Sequence, residues 1–356
     1  MSGRYQSLIC VVGFCCLRLF AQQNPPSGES QSPASAPRGP ANRHMTLEVT
    51  VADRSGQLIP DLQQQDFTLL DNKQPQQIVS FRAVQREVSD PPEVVFVIDE
   101  VNAGYQTVAI ARKQLQDFLK RDAGKLARPA SLVFFSDKGA AIGGVPTSDG
   151  NALIAQMNDN EHGLRTSRRS EGAYGALERV QLSLNALGEI AQYESKRPAR
   201  KLVIWISPGW ALLSGPNIRL SPKDEDSIFR SVIGISDELR NSRITLSSVD
   251  PLGANSGMMR TFYYKDFLKP VKKPNQVNFG NVSLQVIATQ SGGLVLNSSN
   301  DIAGEIARCF ADASSFYELS FDGPPADGPN DYHALEVKID KPGLTARTRA
   351  GYYAQP

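Results

Sequence analysis

The chain is poor in cysteine: four are present, and Cys10, Cys15 and Cys16 all fall near the start. If that leader is removed only Cys309 remains, which excludes an intramolecular disulfide framework. Cys309 shares a helical stripe with Ile302, Ile306 and Phe310, the setting of a buried, inert thiol. Histidine is scarcer still. His44, His162 and His333 are the whole complement, and no two have the spacing of paired metal ligands. There is no Gly-x-Ser-x-Gly elbow, phosphate loop or His-Glu-x-x-His. Asp99 and Glu100 are adjacent, unlike the facing carboxylates of a glycosidase. Together these absences argue against an enzyme. Net charge is missing too: 38 Lys and Arg against 37 Asp and Glu leave +1, so no overall field draws the chain to nucleic acid or an anionic membrane. No apolar run reaches the ~20 residues of a membrane span.

What is present begins with a leader. Residues 1–21 read as a secretory signal, with Arg4 ahead of an apolar core at 8–17 and Ala21 before the expected cut. Phe14 is too bulky to precede a lipid-modified cysteine, so we expect soluble export to the periplasm or the exterior, with cell-surface association open. Residues 22–43 carry Pro25, Pro26, Pro33, Pro37 and Pro40 among serines and lack large apolar side chains, which predicts a disordered tether.

Both ends of the remaining chain read as β. Leu47, Val49 and Val51 alternate with polar residues, Asp53-Arg54-Ser55-Gly56 supplies a turn, and Phe67 to Leu70 precedes a second turn at Asp71-Asn72-Lys73. Near the other end Tyr317, Leu319 and Phe321 alternate, then Leu335, Val337 and Ile339, and a last strand runs to Tyr352. Neither piece alone is long enough to bury a sufficient core. The expectation is one discontinuous antiparallel β-sandwich from 44–88 plus 314–356, with 89–313 inserted.

The middle alternates strand and helix: strands at 94–98, 130–135, 201–206, 244–249 and 293–296, helices at 106–119, 152–157, 172–190, 224–240 and 282–290. That order predicts an α/β fold with a doubly wound, Rossmann-like parallel sheet. Val108, Ala111, Leu115, Phe118 and Leu119 form one packing stripe. Residues 94–98 are apolar on both faces and end in Asp99-Glu100, and ligands of open α/β sheets bind beyond the carboxyl ends of such strands. Asp99 is therefore the first candidate. Strand alternation points Glu100 away from it.

Several stretches together carry a resemblance. They are Val49-Thr50-Val51-Ala52-Asp53-Arg54-Ser55-Gly56 with Asp66-Phe67, Val97-Ile98-Asp99-Glu100-Val101-Asn102, Arg200-Lys201-Leu202-Val203-Ile204-Trp205-Ile206-Ser207, Val249-Asp250-Pro251, Ser291-Gly292-Gly293 and Arg349-Ala350-Gly351-Tyr352. In order and spacing the chain resembles a von Willebrand factor type A domain, and more narrowly the "VWFA-related" secreted family described from Acidobacteria. The resemblance implies a binding module. In the wider fold it also implies a metal-ion-dependent adhesion site, in which an Asp-x-Ser-x-Ser loop, a Thr and a further Asp hold Mg²⁺ with hard oxygens. This chain keeps Asp99, but Val101 and Ala103 occupy the two Ser positions, the Thr position falls on or near Glu171, and Pro208 takes the last Asp position.

With that site degraded, Asp99 is expected to cap the loop into the next helix, and no cofactor is required; Mg²⁺ held by Asp99 with other remaining oxygens is the alternative. The candidate ligand-binding residues are Asp99, Asn102, Glu171 and the loop arginines Arg165, Arg168 and Arg169, whose guanidinium forks suit an acidic glycan or a partner's carboxylates. The Arg260-Thr261-Phe262-Tyr263-Tyr264-Lys265 stretch interleaves cations and rings, yet without a nucleic-acid motif it reads as a surface excursion. The expected function is an exported module that binds a protein or surface ligand. A metal-dependent adhesin with a remodelled cation site and an unrecognised cell-envelope hydrolase are the rivals.

Overall fold

A computed structural model describes residues 43–84, 91–159, 172–210, 220–256 and 263–356. The leader, the tether, His162, Arg165, Arg168, Arg169 and Glu171 lie outside the described residues.

In chain order the elements are β1 (His44–Ala52), β2 (Phe67–Asp71), β3 (Gln74–Gln76), β4 (Ser80–Val84), β5 (Glu93–Asp99), α1 (Tyr105–Leu119), β6 (Lys125–Ser136), β7 (Gly139–Ile142), β8 (Thr147–Asp149), α2 (Gly150–Asp159), α3 (Gly172–Glu194), β9 (Lys201–Ile206), α4 (Pro222–Asn241), β10 (Ile244–Val249), α5 (Leu284–Gln290), β11 (Val295–Leu296), α6 (Ile302–Ala311), β12 (Phe316–Asp322), β13 (Asp331–Ile339), β14 (Thr345–Arg347) and β15 (Gly351–Ala354). The fold is mixed α/β with a mostly parallel central sheet, flanked by helices, and two antiparallel sheets. No helix among the described residues is long and apolar enough to cross a membrane.

The central sheet runs β11-β10-β9-β5-β6-β7. β5, β6, β9, β10 and β11 are parallel, while β7 and β8 pair antiparallel with β6. The antiparallel edge was not anticipated, because Gly139-Ala140-Ala141-Ile142 is short and carries little strand propensity. Alternation along β5 sends Val94, Phe96 and Ile98 to one core and Val95 and Val97 to the other. On the first face the α1 stripe is buried, with Phe118 5.8 Å from Phe96 and 5.3 Å from Phe310 between ring centres. Each of these rings, fully buried, stabilises by roughly 1.5–3 kcal/mol. The same burial seals Cys309 at 0% exposure and pushes its thiol pKa well up.

The chain's two ends meet in the antiparallel sheets, ordered β14-β1-β12-β4 and β15-β13-β2-β3. Each sheet draws strands from both ends: Leu47 pairs with Leu319, and Leu69 with Val337. Their inward residues, among them Leu47, Val49, Leu69, Tyr317, Phe321 and Val337, share one core. That core also holds charge. Asp71, 1% exposed, accepts a 2.8 Å hydrogen bond from Tyr352 Oη and lies 2.8 Å from His333 Nδ1.

The antiparallel sheets fasten to the central one through arginines. Arg243 reaches Glu48 at 3.1 Å and also pairs with Glu318, while Arg200 stacks 4.3 Å over the Phe316 ring.

Candidate functional site

The parallel order reverses at β5: the chain moves from β5 to β6 on one side and then to β9 on the other. The carboxyl ends of β5 and β9 therefore flank the crevice where α/β sheets place ligands. Asp99 stands there, on the same strand face as Val95 and Val97, and is 1% exposed.

Its two oxygens are fully engaged. Oδ1 accepts from the Val101 and Asn102 backbone amides at 3.0 and 2.8 Å, closing a tight turn after β5. Oδ2 accepts from Asn102 Nδ2 at 2.9 Å and from the Trp205 indole at 3.0 Å. Asn102 Nδ2 also donates to Ser183 Oγ at 2.9 Å, so one amide ties the β5 turn to α3. A carboxylate offers about four lone-pair sites, and these donors occupy them. Burial pushes the Asp99 carboxyl pKa up, against the pull of the hydrogen bonds from Asn102, Trp205 and Ser207.

Around this turn the positions expected to lose metal oxygens are packed. Val101 is 2% exposed in one core and Ala103 4% exposed in the other. In the β9 loop, Ser207 Oγ accepts from the Gly209 amide at 3.2 Å. Gly209 has φ +107°, and a side chain there would collide with the Gln285 amide at 2.5 Å. That turn delivers Trp210 edge-on to Trp205, with ring centres 5.3 Å apart. Two buried polar atoms at the site have no hydrogen-bond partner among the described residues: Asn102 Oδ1 and Trp210 Nε1.

Glu100 lies on the opposite strand face. It is half-buried, and desolvation raises its carboxyl pKa despite the nearby Arg112. Among the described residues no three His, Cys, Asp or Glu side chains gather as a metal cluster.

Sequence reasoning missed four contributors. Trp205 gave a signal, since an indole N–H buried in a strand must find an acceptor. Glu305 gave another: it interrupts the stripe of Ile302, Ile306 and Cys309, and burial raises its carboxyl to about 7, with Asp250 at the end of β10 adding to the rise. Tyr105 and Tyr174 are 57% and 88% exposed, and each lies in the first turn of a helix that starts at this end of the sheet. Tyr174 stands roughly 14 Å nearer the start of α3 than Ser183, at ~1.5 Å per residue. Conversely, the Tyr263–Lys265 excursion is only partly a surface feature. Tyr263 donates to Gln285 Oε1 at 3.1 Å and both tyrosines are half-buried, while Lys265 is exposed.

No family model and no curated protein matches the chain. Solved structures are similar at low level. The human COPII-coat protein Sec24c is 11% identical over 76% of this chain and 44% of its own, with a TM-score of 0.33. The pilus adhesin SpaC from Lactobacillus rhamnosus GG is 8% identical over 83% and 49%, with a TM-score of 0.37. The SpRpn10 VWA domain is 11% identical over 60% and 95%, with a TM-score of 0.30. The chain spans less than half the length of the Sec24c and SpaC chains. At these values the likeness is no guide to function.

Proposed function

We propose that the chain is an exported, type A-like interaction module that binds a protein or surface ligand through the carboxyl end of its central sheet, without a bound cation and without catalysing a reaction. The observation that carries this reading is a sealed Asp99 at the carboxyl end of the sheet, with exposed Tyr105 and Tyr174 in the first turns of two helices that start at that end. The described residues do not fit Mg²⁺: a cation at Asp99 would have to displace the Trp205 or Asn102 N–H, and Val101, Ala103 and Pro208 supply no side-chain oxygen in exchange. Exposed tyrosines offer large contact area at low entropic cost and are enriched in interfaces. Arg165, Arg168, Arg169 and Glu171 precede α3 in the sequence, and we propose that they extend this surface.

The test is photo-crosslinking in intact cells from residues 105 and 174, with Val79, 55% exposed on the antiparallel side, as control. The reading expects one common species from both tyrosine positions, absent from position 79 and unaffected by chelator. Equal capture from position 79, or loss of capture with chelator, would overturn it.

A further inference from the structure

Arg349 is 6% exposed, yet its guanidinium forms no hydrogen bond or ion pair with any described residue. The acids nearest in its field are held by other arginines: Asp237 by Arg240 at 2.9 Å and Glu48 by Arg243 at 3.1 Å. Arg349 instead lines a cavity of about 30 Å³ between α4, α5 and β15, walled largely by Val232, Leu239, Val282 and Ile287. The two tyrosine hydroxyls in that wall are spent on carbonyls, Tyr332 on Ala350 at 3.2 Å and Tyr353 on Val271 at 2.8 Å.

Two short motifs hold Arg349 in place. The Ala350 amide donates to the Gln290 carbonyl at 2.9 Å. Gly292 has φ +89°, and a Cβ there would sit 2.7 Å from the Thr348 carbonyl carbon; one on Gly351 would sit 2.4 Å from the Tyr332 hydroxyl. Ser291-Gly292-Gly293 and Arg349-Ala350-Gly351-Tyr352 are thus clasped, and the guanidinium is presented by a backbone with little room to withdraw.

A buried cation whose nearest acids, Asp237 and Glu48, are already paired with other arginines is under-compensated, and arginine cannot shed its proton. The cavity therefore calls for an anion. Among the described residues Arg349 is the one cation lining the cavity, beside the neutral Ser236, Asn281, Gln290 and Ser291, and with Asp237 and Glu48 in its field this disfavours a dianion such as sulfate or phosphate. A carboxylate matches the planar fork at two points, which a halide does not. At ~10–15 Å³ per water-sized group, the space takes a small group with a short apolar end.

We propose that Arg349 anchors a small monocarboxylate of acetate or propionate size in this cavity, with the alkyl end against Val232, Leu239 and Ile287. The site is separate from the carboxyl end of the central sheet and does not rest on the function proposed there.

The experiment is thermal melting of the full chain in sodium formate, acetate, propionate and pivalate, with ionic strength fixed by sodium chloride. Acetate and propionate should raise the midpoint saturably, and pivalate, too bulky for the cavity, should act at least about tenfold more weakly. Arg349→Met should abolish the saturable part, whereas Arg308→Met, at an exposed arginine outside the cavity, should keep it. If Arg349→Met does not fold, calorimetric titration of wild type and of Val232→Phe, which fills the alkyl end, reads the same binding: heat in the first and none in the second. No saturable response in wild type, or an equal one in Arg349→Met or Val232→Phe, would overturn the proposal: the first would leave the cavity to water, and the second would put the carboxylate elsewhere.

Discussion

Two buried aspartates, one in each half of the molecule, are equally hidden and differently employed. Asp99 and Asp71 are each 1% exposed. Asp71 takes its partners, His333 and Tyr352, from strands more than 250 residues away along the chain. Asp99 takes two of its donors, the Val101 and Asn102 amides, from the next turn, and Trp205 from the neighbouring strand. Burial of a carboxylate is thus not in itself a sign of a binding site; the origin of its donors separates the roles. Asp71 staples the chain's two ends, whereas Asp99 shapes a loop at the end of a sheet.

The largest effect should come from breaking the staple. Asp71→Ala leaves His333 and Tyr352 buried without their shared acceptor, and at about 1–3 kcal/mol for each unsatisfied group we expect a loss of about 2–5 kcal/mol in urea unfolding. We further propose that residues 89–313 are an insertion into a sandwich built from 44–88 and 314–356. A soluble, cooperatively melting 90–313 fragment is the expected outcome, and two independently folding β ends would contradict it.

The Asp99 arrangement should be softer. Trp205→Phe keeps the ring and removes the N–H, so one carboxylate oxygen loses a donor, at a cost of about 1–3 kcal/mol. The smaller loss would sharpen the contrast, and a loss as large as that of Asp71→Ala would erase it.

A third carboxyl, Glu305, has one oxygen with no partner among the described residues, and burial holds it near 7. An acid raised in the fold favours folding at low pH. As pH climbs from the usual 4.5 towards 7 the unfolded chain ionises first and stability is lost, the loss being complete above 7. Glu305→Gln should therefore open a stability gain across that window, reaching on the order of 1–2 kcal/mol above pH 7 by melting. A pH-independent difference would contradict this. Last and smallest, Tyr105→Ser with Tyr174→Ser should change stability by no more than ~0.5 kcal/mol while abolishing partner capture.

The succession of strands and helices along 94–296, the packing stripe of α1 and the position of Asp99 were legible because alternation and helical periodicity are local signals. The pairing of Leu47 with Leu319 was not legible, since no local pattern names a distant partner. What stayed hidden needed register. Val97 lies beside Trp205 across β5 and β9, which brings the indole to Asp99, and no spacing in the sequence encodes that. The same holds for Arg349, whose lack of a partner is visible only once Asp237 and Glu48 are seen to be taken.

The most direct test of the central claim, that Asp99 holds a loop and not a cation, is calorimetric titration of the full chain with Mg²⁺, Mn²⁺ and Ca²⁺. The account predicts no saturable heat from any of the three. Saturable heat that disappears in Asp99→Ala would contradict it.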